Sequence, residues 1–365
     1  MYCSNVATSE GHTMNRREFA MCGLGVGIYE AVAGHLLGQT AAHAVASQTT
    51  DPYALVDPEL LAAVKGQPLG VWNDEAVANA QKQIPTMSAV LPSVPGVKIS
   101  RRSIPGPSGA PDVSIVIADT APDRKNKPVL LHIHGGGYIV GAAVAFLPGV
   151  LRYAMPTRCV VVSVDYRLAP QTKFPGSLED NYAVLIWVYR HADELGVDRK
   201  RIAIAGESAG GGHAAALAIH TRDRGEIPII FQLLIYPMLD DRTGSTRTVP
   251  PPIGQLSWGA AGNKYGWSAL LGIPAGSTKV PYGAVPARVE DLRGLPPAFI
   301  GVGALDLFVD EDVEYAHRLI DSAVPTELLV VPGAYHAFDL MVPTARVSKF
   351  FRDAITAALQ HAFAA

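Results

Sequence analysis

The chain has 365 residues, of which 48% are hydrophobic and 17% charged, and its formal net charge is −3. That balance excludes a disordered chain, and with no long basic run it argues against nucleic acid as a partner. Glycine and proline are scattered rather than gathered, and no internal repeat, heptad or low-complexity tract interrupts the sequence.

Residues 1–46 have the pattern of a leader. Arg16-Arg17 precede Glu18-Phe19 and a glycine-rich, moderately apolar stretch, and Ala42-His43-Ala44 and Ala44-Val45-Ala46 offer small-x-small cleavage patterns. The pattern resembles a twin-arginine export signal and predicts a periplasmic or secreted protein; a cytoplasmic protein with an ordinary N-terminal extension is the alternative. Glu30 and His35 interrupt the apolar stretch, so no stable membrane span is expected. Two of the three cysteines, Cys3 and Cys22, lie in this segment. Its removal leaves Cys159 alone, a small core residue on a strand pattern rather than half of a disulfide.

Residues 47–96 read as helical. In "DPELLAAV" Asp57 caps the helix, Pro58 takes its first position and Glu59 its first turn. "WNDEAVANAQKQ" reads as a second short helix. The signal then switches to strands. "VKISRRSI" and "VSIVIAD" form an antiparallel opening. "PVLLHIHG", "CVVVSVDYRL", "RIAIAGES", "FQLLIYPM", "PAFIGVGALD" and "TELLVVPGA" are short, nearly continuous apolar runs, as expected of strands buried on both faces of a parallel sheet. Helical patterns over Leu178–Leu195, Ala209–Arg224, Val309–Ser322 and Thr344–Ala362 separate them. The alternation predicts an α/β fold over 97–365, with about eight mostly parallel strands flanked by helices and joined by right-handed crossovers. The stretch from about 239 to 281 is too long for a plain crossover and reads as an insertion that, with residues 47–96, caps the sheet.

Chemistry in such a sheet sits outside the carboxyl ends of the strands. Four polar clusters fall there. Gly206-Glu207-Ser208-Ala209-Gly210 fits G-x-S-x-G between a strand and a helix, a turn that lifts the Ser208 oxygen clear of its neighbours. His134-Gly135-Gly136-Gly137-Tyr138 follows another strand, and its glycines let backbone N–H groups face a ligand closely, as stabilisation of an oxyanion requires. Asp306 ends a third strand, where a carboxylate can fix a histidine tautomer; Asp310 in the following helix is its substitute. His336 follows the last strand and is of the residue type that takes and returns a proton near neutral pH. His132, His213, His220, His317 and His361 read as packing or surface residues. The order Ser208, Asp306, His336 is that of an α/β-hydrolase triad.

With "HGGGY", "DYRLAP", "GESAGG", "DLFVDED" and "YHAF" in place, and "KFPGSLED" and "LRGLPPAFI" between them, the chain from about Asp51 resembles the hormone-sensitive-lipase-like family of bacterial carboxylesterases. The resemblance implies an α/β-hydrolase core with a helical cap and ester hydrolysis with neither cofactor nor metal. Ser208 would be the nucleophile, His336 the base and Asp306 its partner, with the N–H groups of Gly136, Gly137 and Ala209 as oxyanion donors. Glu207 and Leu307 depart from the family's usual Asp or Thr and Pro; the role of Glu207 stays open. The expected substrate is a small soluble ester of short to medium acyl chain. Tyr138, Trp258, Tyr265 and Trp267 are candidates to line its pocket, with core packing as the alternative for each. A homodimer is allowed but not specified. An amidase or peptidase on the same fold, or a non-catalytic ligand-binding relative, are the competing readings; the presence of both Ser208 and His336 weighs against the last.

Overall fold

The computed structural model describes residues 51–364, so the leader expected over 1–46 lies outside the described residues. One eight-stranded sheet runs through the molecule: β1 (Lys98–Ile104), β2 (Val113–Asp119), β3 (Lys127–Ile133), β4 (Val160–Asp165), β5 (Val197–Glu207), β6 (Phe231–Ile235), β7 (Ala298–Gly303) and β8 (Thr326–Val331). Their order across the sheet is β1-β2-β4-β3-β5-β6-β7-β8. β1 pairs with β2, and β2 with β4, antiparallel; from β4 to β8 every pairing is parallel. The predicted antiparallel opening and parallel body are both present.

The central strands are apolar throughout because both faces are covered. Along β3, Val129, Leu131 and Ile133 enter one core layer, while Leu130 enters the other. The first layer is closed by the helices Gly176–Arg190, Ala209–Arg224 and Val309–Asp321; the second by Ala143–Ala154 and Arg346–Ala364. Side-chain alternation of period two sorts the residues between the layers. The helix Ala143–Ala154 has no counterpart in the sequence reading. Its run "AVAFLPGVLRYA" is apolar almost throughout, and Pro148 inside it masks the period that would mark a helix.

The two N-terminal helices take different places. Pro58–Val64, capped by the Asp57 carboxylate on the Glu59 N–H at 2.9 Å, sends Leu60 and Val64 into the second core layer. It is pinned there by the Asp57 N–H on the Gly333 carbonyl (3.0 Å) and the Tyr335 hydroxyl on the Leu60 carbonyl (3.1 Å). Asp74–Met87 instead joins a third cluster, where Val77 packs with Trp258, Trp267, Leu270 and Leu271 of the insertion and with Leu307 and Phe308. The insertion contains the helix Ala260–Leu271. Gln81 ties the cap to the loops beneath through its Nε2, which donates to the carbonyls of Ile139 (2.8 Å) and Ala169 (3.0 Å). Cys159 is fully buried, and burial pushes its thiol up to about 12, so it is inert core.

Phe351 links the second layer to the strand ends. It is fully buried, its ring 5.1 Å from Phe338 and 6.3 Å from Tyr236. Phe351→Ala should cost about 3–5 kcal/mol, seen as a lower urea midpoint at unchanged slope; an unchanged midpoint would contradict this packing.

Candidate active site

The turn after β5 is set by backbone geometry. Ser208 has φ 56° and ψ −122°, outside the comfortable regions for a residue with a side chain. Its N–H donates to the Ile235 carbonyl at 2.9 Å, and its own carbonyl accepts from Met238 (2.9 Å) and Gly212 (3.0 Å). These bonds hold the strained residue in place. The flanking glycines are required by close approach: a Cβ on Gly206 would run into the Gly210 carbonyl, and one on Gly210 into the carbonyl of Ile133. The small residues of "GESAGGG" thus let the helix Ala209–Arg224 start immediately after the serine.

His336 sits between the other two members of the predicted set. Its Nε2 is 2.9 Å from Ser208 Oγ, and its Nδ1 is 2.8 Å from Asp306 Oδ2. A carboxylate only accepts, so Nδ1 carries the proton and Nε2 is left to accept from the serine hydroxyl. Asp306 is fully buried, and its other oxygen accepts the Phe308 N–H at 3.0 Å. Asp310, the substitute considered from sequence, is exposed in the first turn of the next helix. Glu311 instead accepts the N–H groups of Leu239 (2.7 Å) and Asp240 (3.1 Å), fixing the start of the insertion.

The loop after β3 turns through three positive φ values: Gly136 at 118°, Gly137 at 60° and Tyr138 at 69°. The Gly136 carbonyl accepts from Ile139 (3.1 Å) and Val140 (3.0 Å), which closes the turn. Among the described residues, the Gly136 and Gly137 N–H groups find no protein acceptor. Ala209 is the first residue of its helix, where N–H groups have no partner within the helix. His134 braces the loop from below. Its Nδ1 donates to the Gly135 carbonyl at 2.8 Å, and its ring stacks on Tyr166 at 4.3 Å.

The aromatic candidates divide. Tyr138 is buried, its hydroxyl donating to the Met238 carbonyl at 2.9 Å and its ring lying 5.0 Å from Trp267, which is buried too. The two pack together, Trp267 from the insertion and Tyr138 from the loop after β3. Tyr265 lies at the edge, its hydroxyl bonding Asp74 at 2.7 Å and joining the insertion to the N-terminal helix. Of the four, Trp258 comes near His336: its ring is 6.5 Å from the imidazole, and a Cβ on Gly137 would meet its six-membered ring at 2.6 Å. Trp72, not singled out from sequence, backs Trp258 at 5.6 Å. Its only signal was an aromatic residue directly before the second cap helix.

Glu207 receives a role. Its carboxylate accepts from the Tyr153 hydroxyl at 3.0 Å and pairs with His132 Nε2 at 2.7 Å, and His132 Nδ1 meets Ser163 Oγ at 2.7 Å. Residue 207 therefore points away from the cleft, tying β5 to β3, β4 and the helix Ala143–Ala154. His132, taken from sequence as a packing residue, is a buried polar link.

A sequence profile of the family Abhydrolase_3, described as alpha/beta hydrolase fold, matches residues 130–340. Esterase LipI of Mycobacterium tuberculosis is 34% identical over 80% of this chain and 90% of its own length. Carboxylesterase NlhH of the same organism is 34% identical over 80% of this chain and 92% of its own. Among solved structures, a bacterial heroin esterase superposes with a TM-score of 0.76 at 36% identity, covering 85% of this chain and 99% of that one. Esterase LipW from Mycobacterium marinum gives 0.75 at 33% identity, over 87% and 98%.

Two histidines beside the glycine loop after β3 make the fold acid-sensitive. Burial pulls His134 down to about 4 and His213, wedged between Tyr138 and Tyr166, to about 3, from an ordinary value of 6.5. Both stay neutral in the fold but take up protons once unfolded. Their contribution is complete above pH 6.5 and drains away as pH falls through about 4 for His134 and about 3 for His213. Denaturation midpoints should fall across that window, and His213→Phe should flatten the dependence; an equal slope in the variant would refute the assignment.

Proposed function

The chain belongs to the alpha/beta hydrolase family matched above, in its hormone-sensitive-lipase-like group, and is a carboxylic ester hydrolase; from that premise we propose that it cleaves short- to medium-chain esters through an acyl-enzyme on Ser208. The observation that carries the proposal is His336 within hydrogen-bond reach of both Ser208 Oγ and Asp306.

The geometry supports the following order of events. Ser208 attacks the ester carbonyl while His336 Nε2 accepts its proton. The imidazolium so formed is stabilised through Nδ1 by Asp306, which keeps its charge. Charge developing on the carbonyl oxygen is met by the N–H groups of Gly136, Gly137 and Ala209, whose lack of protein acceptors supports that role. His336 returns the proton to the leaving alcohol. Water then repeats the sequence on the acyl-serine and restores the hydroxyl. Trp258 against Gly137 supports a preference for small acyl or alcohol groups, because its indole occupies space directly over the oxyanion loop.

Ser208→Ala should remove turnover of p-nitrophenyl acetate, with a rate loss of about 10⁴-fold or more, and keep the wild-type Tm. A fluorophosphonate should label Ser208 in the wild type and leave the variant unlabelled. Residual turnover in Ser208→Ala near the wild-type rate sinks the proposal. Within an ester series, kcat/KM should fall as the acyl chain lengthens beyond medium size, and anilides should be turned over far more slowly than the matching esters.

A further inference from the structure

Asp306 fixes His336 through Nδ1, but a second contact holds the imidazole from the side. The Tyr236 ring lies 4.9 Å from the His336 ring at 66°, an edge-to-face arrangement. The Tyr236 hydroxyl donates to Asp339 Oδ1 at 2.9 Å, and Asp339 lies three residues beyond His336, in the turn Phe338–Met341. Tyr236 is nearly fully buried and has φ 34°, so its backbone is constrained as Ser208's is.

Its position joins all three parts of the triad. The Tyr236 N–H donates to the Gly301 carbonyl of β7, the strand that leads to Asp306, at 2.6 Å. The residue before it, Ile235, accepts the Ser208 N–H, and Met238 donates to the Ser208 carbonyl, each at 2.9 Å. The ring then touches His336, and the hydroxyl grips the turn that follows His336. Phe308 also meets the imidazole, at 5.1 Å and 90°, but it carries no polar group.

Resting on the triad assignment above, we propose that Tyr236 and Asp339 are a positioning pair: their hydrogen bond clamps the tyrosine ring against His336 and holds an anion on the turn that follows the imidazolium formed in turnover. The hydrogen bond has a charged acceptor and is of the stronger kind. Burial raises the Asp339 carboxyl to about 6, with the Tyr236 hydroxyl opposing that rise, so the acid is ionised where the enzyme would work at neutral pH. Glu207 and Tyr153 face Asp339 from β5 and the helix Ala143–Ala154, and Arg152 and Arg352 share its small cleft. On the imidazole itself, the polar groups are Ser208 and Asp306.

The test uses the full chain carrying Tyr236→Phe, Asp339→Ala, both together, and Asp339→Asn. Tyr236→Phe keeps the ring and removes only the hydroxyl. That variant and Asp339→Ala should each lower kcat by about tenfold per fluorophosphonate-labelled site, with little change in KM. The double variant should be no worse than the poorer single one, because both remove one bond. Asp339→Asn keeps an acceptor for the hydroxyl but loses the charge. Removing an anion disfavours the imidazolium, so the acid limb of kcat/KM should move to lower pH. Wild-type kcat with an unmoved acid limb would overturn the proposal even if Tm fell, and so would losses that multiply in the double variant. Failure of the triad assignment shows separately, as an unlabelled Ser208 in the wild type.

Discussion

The reversal of the chain at Ser208 is the constraint on which the rest of the structure depends. A side-chain-bearing residue is held at positive φ by backbone bonds to the segment leaving β6. That is feasible only because the neighbouring strands bring their carbonyls close, and only because glycines on both sides leave room. The helix that follows is rich in alanine and glycine for the same reason. From Ala209 to Ile219 it is buried, packed against the sheet on one side and the helix Gly176–Arg190 on the other. A larger residue on either side would move the serine away from His336.

Much of this arrangement was legible in the sequence. Apolar runs of strand length, each ending in a polar or glycine cluster, place Ser208, Asp306, His336 and the glycine loop at one end of a parallel sheet. The reason is physical: strands buried on both faces leave an unmistakable pattern, and reactive groups at their ends stand out against it. Asp306 was separable from Asp310 because it closely follows the strand Ala298–Gly303, whereas Asp310 lies in the next helix and faces solvent.

What was not legible depends on contacts between residues far apart in the chain. Glu207 meets Tyr153 and His132 across 54 and 75 residues, respectively. The Tyr236–Asp339 bond spans 103. No periodicity encodes such pairings. The aromatic candidates show the same limit: Tyr138 and Trp258 are both near the glycine loop, but the hydroxyl of Tyr138 is used up on a buried carbonyl while Trp258 lies 6.5 Å from the imidazole. Local sequence does not distinguish them. The helix Ala143–Ala154 was hidden for a different reason, a proline within an almost uniformly apolar stretch.

The splitting of the two N-terminal helices has a consequence for protein engineering. Pro58–Val64 is fastened to Gly333 and Tyr335, the residues that immediately precede His336, so it splints the histidine loop rather than roofing the cleft. The segment that does roof it begins later, with Trp72 against Trp258 and the helix that follows. A chimera that exchanges the cap between relatives should therefore be joined between these helices, near Gly66, and not at the start of β1. A junction at β1 would import a foreign splint together with the foreign roof, and changes in turnover could then not be credited to substrate fit alone.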